Sequence, residues 1–241
     1  MGIFPHLPPR ELEKVFSPMA ADLSKIIGKP IIFRTSSTYH KFMQQLDQQV
    51  FDIAFVQPFD YIRVADKYGY RPLATREEKL SAIIVTKKDS PLKSIDDLKN
   101  KTIALPPKVA AVSLLVKNHA INHHMKPGKD ITLTHHRSHI SCMQQVLIGS
   151  ADACGTAAPA LRFFQHKMKT ELKIISESKA IPHTLFVIHP RVPEEKRDLL
   201  RKRLLNWAKT ETGKQLLARG RLKPLRAIND SDYNIVRSMS K

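Results

Sequence analysis

The chain has 241 residues, of which 42% are hydrophobic and 26% charged, and this balance excludes a disordered, collagen-like or low-complexity protein. Its formal net charge of +18 favours an anionic partner, whether nucleic acid, anionic lipid or a small oxyanion. The apolar runs are much shorter than the roughly 20 residues that a membrane-spanning helix needs.

The first part of the chain alternates between predicted helices and strands. A short segment beginning at Phe4 is broken by residues 6–9, and a helix over 11–27 ends at Gly28 in the position of a helix C-cap. The next predicted elements are a strand over 30–33, a polar turn over 34–39, a helix over 40–48, a strand over 51–56, a helix through Tyr61 to Tyr68 and a strand over 72–75. This alternation is typical of a largely parallel α/β sheet.

A second α/β series begins after a predicted strand over 81–87. Its members are a short helix over 94–98, a strand over 101–105, a helix over 109–123, a strand over 131–135, a helix over 140–148, a strand over 151–154, a helix over 158–164 and a strand over 172–176. The chain then returns through an extended segment over 181–189 to a helical tail, whose final helix is predicted over 230–239. Two α/β units joined by two crossings predict a clamshell with a two-strand hinge.

The densest positive stretch, residues 196–226, is predicted to form an amphipathic helix. Its apolar face is supplied by Leu199, Leu200, Leu204, Leu205 and Trp207. A solvated basic face is the favoured interpretation and a nucleic-acid groove the alternative, because no RNP-like, zinc-finger or aromatic platform accompanies the charge.

Ligands in open α/β sheets bind outside the carboxyl ends of strands, close to helix N-termini. In this chain those points are predicted at His6, 36–39, 57–59, 106–111, 138–139 and 155–158. In a two-lobed protein we expect these points to face one cleft.

Seven segments carry a family resemblance, and they follow one another in this order: GIFPHLPP, SPMAADLSKIIGKPI, FDIAFVQPFDYIRVADKYGYRPLA, SAIIVTKKDSPLKSIDDLKNKTIAL, RSHISCMQQVLIGSADACG, ETGKQLL and DSDYNIVR. Together they resemble the substrate-binding proteins of phosphate/phosphite/phosphonate ABC transporters, most specifically between Asp52 and Leu105. The resemblance implies an α/β, two-lobed type II periplasmic binding-protein fold, in which each lobe is a mixed sheet flanked by helices. It places residues 1–84 and 185–241 in lobe 1 and residues 85–184 in lobe 2, with the cleft between the lobes.

The function that this resemblance implies is that of a periplasmic or otherwise extracytoplasmic solute-binding protein, not an enzyme. Its lobes are expected to close around a small oxyanion-type ligand such as phosphonate, phosphite or phosphate, and to pass it to a membrane permease. We expect a monomer, without cofactor, metal or nucleic acid. The alternative is a ligand-sensing domain of the same fold that feeds a two-component or chemotaxis receptor.

The predicted ligand-contacting residues come from the resemblance and from the strand ends. Tyr39 and His139 match residues that contact the ligand in the family, and Gln57 and Lys108 follow strands of this chain. The full set is His6, Ser37, Tyr39, Gln57, Lys108, Ala110, Ala111, Ser113, His139 and Thr156.

Two departures from the family pattern bear on the ligand. The family's Ser/Thr-Ser-Gly run, which cradles phosphonate oxygens, is replaced by Ala110-Ala111-Val112-Ser113, so hydrogen bonds worth about 1 kcal/mol each are forgone. The acids that hold the ammonium group of an aminoalkyl phosphonate correspond to Pro159 and Thr184. An aminophosphonate is therefore not expected, and an oxyanion is expected to rely on backbone N–H groups and on Lys108. The other alternative is a different small molecule, larger or less charged.

The remaining chemistry-bearing residues give weaker signals. Cys142 and Cys154 lie on adjacent predicted elements, which leaves open a disulfide or two buried thiols. The 11 histidines form clusters that lack carboxylates at metal-ligand spacing, and no nucleophile elbow, P-loop or dinucleotide fingerprint is present. The opening MGIFPHLPP has no signal-peptide pattern, and Gly2 to Phe4 resembles a truncated first strand, so we expect a signal and a few residues to precede it.

Overall fold

The computed structural model describes residues 1–240 of the chain. In chain order the strands are β1 (Gly2–Ile3), β2 (Arg34–Thr35), β3 (Ile53–Val56), β4 (Arg71–Arg76), β5 (Lys79–Leu80), β6 (Ile83–Lys87), β7 (Thr102–Leu105), β8 (Thr132–His135), β9 (Ala153–Thr156), β10 (Leu172–Glu177), β11 (Ile181–Pro182), β12 (Leu185–Ile188) and β13 (Leu225–Arg226). The α-helices are α1 (Pro9–Ile27), α2 (Tyr39–Asp47), α3 (Pro58–Tyr68), α4 (Ala111–Asn122), α5 (His139–Ile148), α6 (Ala158–Met168), α7 (Glu194–Asn206), α8 (Glu211–Arg219) and α9 (Asn234–Ser238).

The chain divides into two units that it enters and leaves twice. Unit 1 comprises Met1–Lys79 and the chain from Ile181 onward, and unit 2 comprises Leu80–Ala180. The short strands β5 and β11 pair with each other next to the two passages from one unit to the other. Among residues 1–240, no helix combines the length and the apolar character that a membrane crossing requires.

Unit 1 contains a six-stranded mixed sheet in the order β13-β4-β12-β3-β1-β2. Strands β2 and β3 run parallel to β1, whereas β12 is antiparallel to both β3 and β4. Strands β1 to β4 therefore all end at the same edge of the sheet, which is also the edge where β12 begins. The core includes four large rings in sequence, since Phe16 contacts Phe55, Phe55 contacts Phe186, and Phe186 contacts Trp207.

Unit 2 contains a five-stranded mixed sheet in the order β10-β6-β9-β7-β8. Strands β8 and β9 are parallel to β7, and each of these three strands leads directly into a helix, α4, α5 or α6. The starts of the three helices consequently lie at one edge of the sheet. A buried disulfide joins Cys142 of α5 to Cys154 of β9, with the two Cα atoms 5.8 Å apart, and this settles the alternative that the sequence left open.

Two predicted elements are wrong. Residues 30–33 do not form a strand: Ile32 is exposed and the Ile31 N–H donates to the Ser24 hydroxyl, so pairing starts only at Arg34, whose N–H donates to Met1 O. The basic stretch 196–226 is not one helix but α7 and α8, because the Thr210 hydroxyl caps a new helix start. Leu199, assigned to its apolar face, is exposed.

Three further elements differ in kind or position. The predicted short helix over 94–98 is a 3₁₀ turn over Asp96–Leu98, and the predicted last helix is a 3₁₀ turn over Asp230–Tyr233 followed by α9. The strand predicted over 151–154 is β9, and its pairing with β6 extends to Thr156, opposite Ile83.

Candidate functional site

Two helices of unit 1 begin at the edge where β1 to β4 end. Helix α2 starts after β2, where the Thr38 hydroxyl accepts the Lys41 N–H at 3.2 Å and so caps the first turn. Helix α3 starts directly after β3, with Gln57 in the capping position and Pro58 as its first residue. These two helix starts place Tyr39 and Gln57 together.

A hydrogen-bonded cluster joins Tyr39, Gln57 and Asp60. The Tyr39 hydroxyl donates to the Asp60 carboxylate at 2.5 Å, and Gln57 Nε2 donates to the Tyr39 oxygen at 3.0 Å. Burial raises the pKa of Asp60 to about 6. Burial and the neighbouring Asp60 charge hold the pKa of Tyr39 well above its usual range. While Asp60 is charged, it accepts the hydrogen bond that the Tyr39 hydroxyl would otherwise donate to an oxyanion.

The sequence reasoning missed Asp60. A signal was present, because Asp60 stands three residues after the capping residue Gln57, where an acid accepts the backbone N–H of the capping residue. The complete burial of that carboxyl beside Tyr39 depends on the packing of α2 against α3, which no local pattern reports.

His6 also lies in this part of unit 1. Its Nδ1 donates to the Phe4 carbonyl at 2.9 Å, and its ring centroid lies 4.4 Å from that of Phe4, with the two ring planes tilted by 31°. Burial lowers the pKa of His6, so the neutral ring presents Nε2 as a hydrogen-bond acceptor. Ser37 is exposed, whereas its neighbour Ser36 is buried and donates to Gln45 Oε1 at 2.7 Å.

Two more residues that the sequence reasoning did not single out stand at the same edge. Arg76 is the last residue of β4, and His183 lies two residues before the start of β12. The His183 Nδ1 accepts the Thr184 backbone N–H at 2.7 Å, which places its proton on Nε2. Burial, and then the charge of Arg76, lower the pKa of His183 to about 3.

In unit 2, His139 is the first residue of α5 and follows β8. The preceding Ser138 forms a capping box with Ser141, which fixes where the helix starts. The His139 Nδ1 and the Thr156 hydroxyl are hydrogen-bonded at 2.9 Å, and Thr156 is completely buried in β9. Burial lowers the pKa of His139. Thr156 therefore orients the ring and leaves Nε2 as the nitrogen that points away from this bond.

At the loop between β7 and α4, the predicted ligand contact Ser113 is engaged in hydrogen bonds within the protein. The Ser113 hydroxyl is buried and donates to the carbonyls of Pro106 and Pro107, both at 3.1 Å, so it supports its own loop. Ala110 occupies the capping position without a side-chain cap and Ala111 begins the helix, so backbone N–H groups supply the polarity of this helix start. Lys108 is exposed on the same loop.

Some of the predicted residues thus form two clusters, one in each unit, whereas Ser37, Lys108, Ala110, Ala111 and Ser113 belong to neither. The unit 1 cluster contains Tyr39 and Gln57, with Asp60 added, and His6 lies at the same edge of the sheet; the unit 2 cluster contains His139 and Thr156. Over residues 1–240 no group of three or more histidine, cysteine or acidic side chains is arranged to hold a metal ion.

Comparison with solved structures identifies the fold. A binding-protein component of an ABC phosphonate transporter from Pseudomonas aeruginosa is 18% identical, with a TM-score of 0.78 over 99% of this chain and 84% of that one. PhnD1 from Prochlorococcus marinus, solved in complex with methylphosphonate, is 16% identical, with a TM-score of 0.80 over 99% and 95%. The aliphatic sulphonate binding protein SsuA from Escherichia coli is 13% identical, with a TM-score of 0.68 over 99% and 89%. These likenesses confirm the predicted type II periplasmic binding-protein fold.

No curated protein sequence matches the chain. A family model does, and it is described as the periplasmic substrate-binding protein of an ABC phosphonate transporter. Proteins of this family are periplasmic, bind a small ligand, work with a membrane permease and are not enzymes. Because the match extends over residues 1–233, nearly the full chain, this protein belongs to the family of periplasmic substrate-binding proteins of ABC phosphonate transporters.

Proposed function

We propose that this chain binds a small phosphorus oxyanion of the phosphonate class outside the cytoplasm and delivers it, as a monomer, to an ABC permease. The observation that carries the proposal is His139, which stands at a helix start and is oriented through its Nδ1 by a fully buried threonine. The methylphosphonate bound to PhnD1, a protein of the same fold, supports the ligand class.

Thr156 is proposed to set the tautomer of His139. An oxyanion offers only acceptors at its deprotonated oxygens, so His139 must donate from Nε2 to hold one. This requires the Thr156 hydroxyl to donate to Nδ1, which the 2.9 Å distance permits. The lowered pKa of His139 keeps the ring neutral at neutral pH, so the tautomer rather than a positive charge determines what the ring offers.

The unit 1 cluster is proposed to contribute Tyr39, with His6 and Gln57 beside it. When Asp60 takes up a proton, the Tyr39 hydroxyl no longer has to donate to a carboxylate and is released for a ligand oxygen. The raised pKa of Asp60 makes that protonation accessible close to neutral pH. A ligand oxygen that carries a proton, as in a phosphonate monoanion, also finds an acceptor in His6 Nε2.

The exposed Ser37 and Lys108 are proposed as peripheral contacts, and the α4 start at Ala110 and Ala111 as a source of backbone N–H donors. Ser113 supports the loop that presents that helix start. The net charge of +18 raises the local concentration of small anions and needs no nucleic-acid partner to explain it. The sensing-domain alternative is not favoured, because the matched family is one of transport proteins.

Calorimetric titration with methylphosphonate tests the unit 2 half of this proposal. We expect His139→Ala to weaken binding at least about tenfold, since a hydrogen bond to a charged group is lost. Thr156→Val should weaken binding less, because the ring remains but its tautomer is no longer fixed by the threonine hydroxyl. The matched control is His166→Ala, an exposed histidine on α6 of the same unit, which should leave the affinity unchanged. If His139→Ala and His166→Ala bind methylphosphonate as tightly as the wild type does, the assignment of His139 is wrong.

A further inference from the structure

Arg76 lies at the edge of the unit 1 sheet where α2 and α3 begin, and its guanidinium is incompletely hydrogen-bonded. It forms an ion pair with Glu78 and is largely buried, with 23% of the side chain exposed. The Arg76 Nε and the Glu78 Oε2 are both buried without a hydrogen-bond partner among residues 1–240. Buried polar groups in proteins are nearly always paired, so two orphaned atoms in one ion pair need an explanation.

Strand register places Arg76 on the same face of the sheet as His6. Phe186 lies opposite Phe55 on one side and opposite Ala74 on the other. Since side chains two residues apart share a face, Arg76 projects on the face that carries Ala74 and Phe55. The His6 ring lies 6.4 Å from the Phe55 ring on that face.

The end of β4 lies beside His183, because the Arg76 backbone N–H donates to the Thr184 carbonyl at 3.2 Å and the His183 Nδ1 lies 3.0 Å from the Thr184 hydroxyl. Arg76 lowers the pKa of His6 and the pKa of His183, and in each case burial is the larger cause. For His183, Arg76 is the one charged neighbour that acts on the pKa alongside burial. The guanidinium charge is therefore close enough to act on both imidazoles.

Both histidines remain neutral and differ in what they offer. His6 donates from Nδ1 to Phe4 and is left with an acceptor at Nε2, whereas His183 accepts at Nδ1 from Thr184 and is left with a donor at Nε2. Arg76 and His183 consequently present N–H donors from the end of β4 and the approach to β12. Glu78 engages only Nη2 of Arg76 in a salt bridge, so other guanidinium donors are available.

We propose that Arg76 and His183 form a subsite for an anionic substituent of the ligand, so that this chain prefers a phosphonate carrying a carboxylate to one carrying an ammonium group. The inference rests on the proposed function and extends it to the ligand's second group. A carboxylate accepts charge-assisted hydrogen bonds from guanidinium and imidazole N–H groups, and it satisfies the orphaned Nε. An ammonium group meets the guanidinium as a like charge, finds no acceptor on His183, and reaches in Glu78 a carboxylate whose charge Arg76 already neutralises.

Calorimetric titration of three ligands tests the subsite: methylphosphonate, phosphonoacetate and aminoethylphosphonate share the phosphonate and differ in the second group. For the wild type we expect phosphonoacetate to bind about tenfold more tightly than methylphosphonate, and aminoethylphosphonate to bind more weakly than either. Arg76→Met should abolish the preference for phosphonoacetate. It should also raise the affinity for aminoethylphosphonate, because the Glu78 carboxylate is then left unpaired.

Two further variants keep the test decisive. Arg76→Met combined with Glu78→Gln removes both charges, and it should bind the three ligands with similar affinity even where the single variant folds poorly. Arg71→Met, at the exposed opposite end of β4, should keep the wild-type order. Phosphonates that bind in an order unaffected by Arg76→Met would overturn the subsite and leave the proposed function standing, whereas no binding of any phosphonate would overturn both.

Discussion

Asp60 is a buried carboxyl group that accepts a hydrogen bond from Tyr39 and lies within the field of Arg63. Desolvation disfavours its charged form more strongly than these partners favour it, and the pKa therefore rises from 3.8 to about 6. In the unfolded chain the same carboxyl is solvated and keeps its ordinary pKa. The folded protein consequently binds a proton at this position that the unfolded protein releases.

This difference predicts a pH-dependent effect of Asp60→Asn on stability. Because the pKa of Asp60 is higher in the folded protein, proton binding stabilises the folded state. This contribution is fully present below the unfolded pKa of 3.8 and is lost as the pH rises through about 6. Above that range the wild type carries a buried charge that the variant lacks. We expect Asp60→Asn to be the more stable protein at about pH 8, by at most about 3 kcal/mol, with the advantage fading towards about pH 4.

Urea denaturation of both proteins across that pH range measures the effect. Asp198→Asn is the matched control, because Asp198 is an exposed residue of α7 and its removal should not change the pH dependence. A difference between Asp60→Asn and wild type that stays constant with pH would show that Asp60 does not titrate in this range.

Sequence reasoning singled out candidate residues at helix starts and did not single out those that strand pairing brings together from distant parts of the chain. Tyr39 and His139 were predicted because a family resemblance marks them, and the structure shows that each begins a helix after a strand. Arg76 and His183 meet because β4 pairs with β12, more than 100 residues away in the chain. No local sequence pattern predicts that these two residues lie near each other, so their proximity is known only from the structure.

At the scale of elements, the helices were more predictable than the strands. Helix α1 has apolar residues at helical spacing and ends at Gly28, which takes the left-handed conformation (φ 67°) that favours glycine. The two-residue strands β2, β5, β11 and β13 are too short to show a period of two, and they exist only through their partners. The same limit explains why the apolar run 30–33 was taken for a strand.

The disulfide between Cys142 and Cys154 is the second feature of this scale. It joins α5, which begins at His139, to β9, which ends at the His139 partner Thr156. The bridge thus fastens the two elements that together orient His139. Its 12-residue separation corresponds to about 3 kcal/mol of stabilisation in the chain-entropy account.

Replacing both cysteines by alanine should therefore lower the free energy of unfolding by about 3 kcal/mol. Guanidinium denaturation of the variant and of the wild type, each with and without dithiothreitol, measures this. We expect the reductant to lower the wild-type midpoint under denaturing conditions and to leave that of the variant unchanged. A variant with the wild-type midpoint would show that the bridge does not stabilise unit 2.

At the scale of the whole molecule, the positive charge and the site chemistry point to the same kind of ligand. The 40 basic residues outnumber the 22 acidic ones and are spread over both units, so a small anion experiences a favourable field. That field does not distinguish one anion from another. We propose that selectivity rests with the hydrogen-bond donors and acceptors of His6, Tyr39 and His139.

Titration of the wild-type protein with methylphosphonate, beside sulfate as an anion that carries no proton at neutral pH, tests whether this protein binds phosphonates specifically. We expect saturable binding of methylphosphonate to a single class of site and weaker binding of sulfate, because His6 Nε2 offers an acceptor to a protonated ligand oxygen. Equal, weak and unsaturated uptake of both anions would contradict it, since the positive charge alone would then account for the binding.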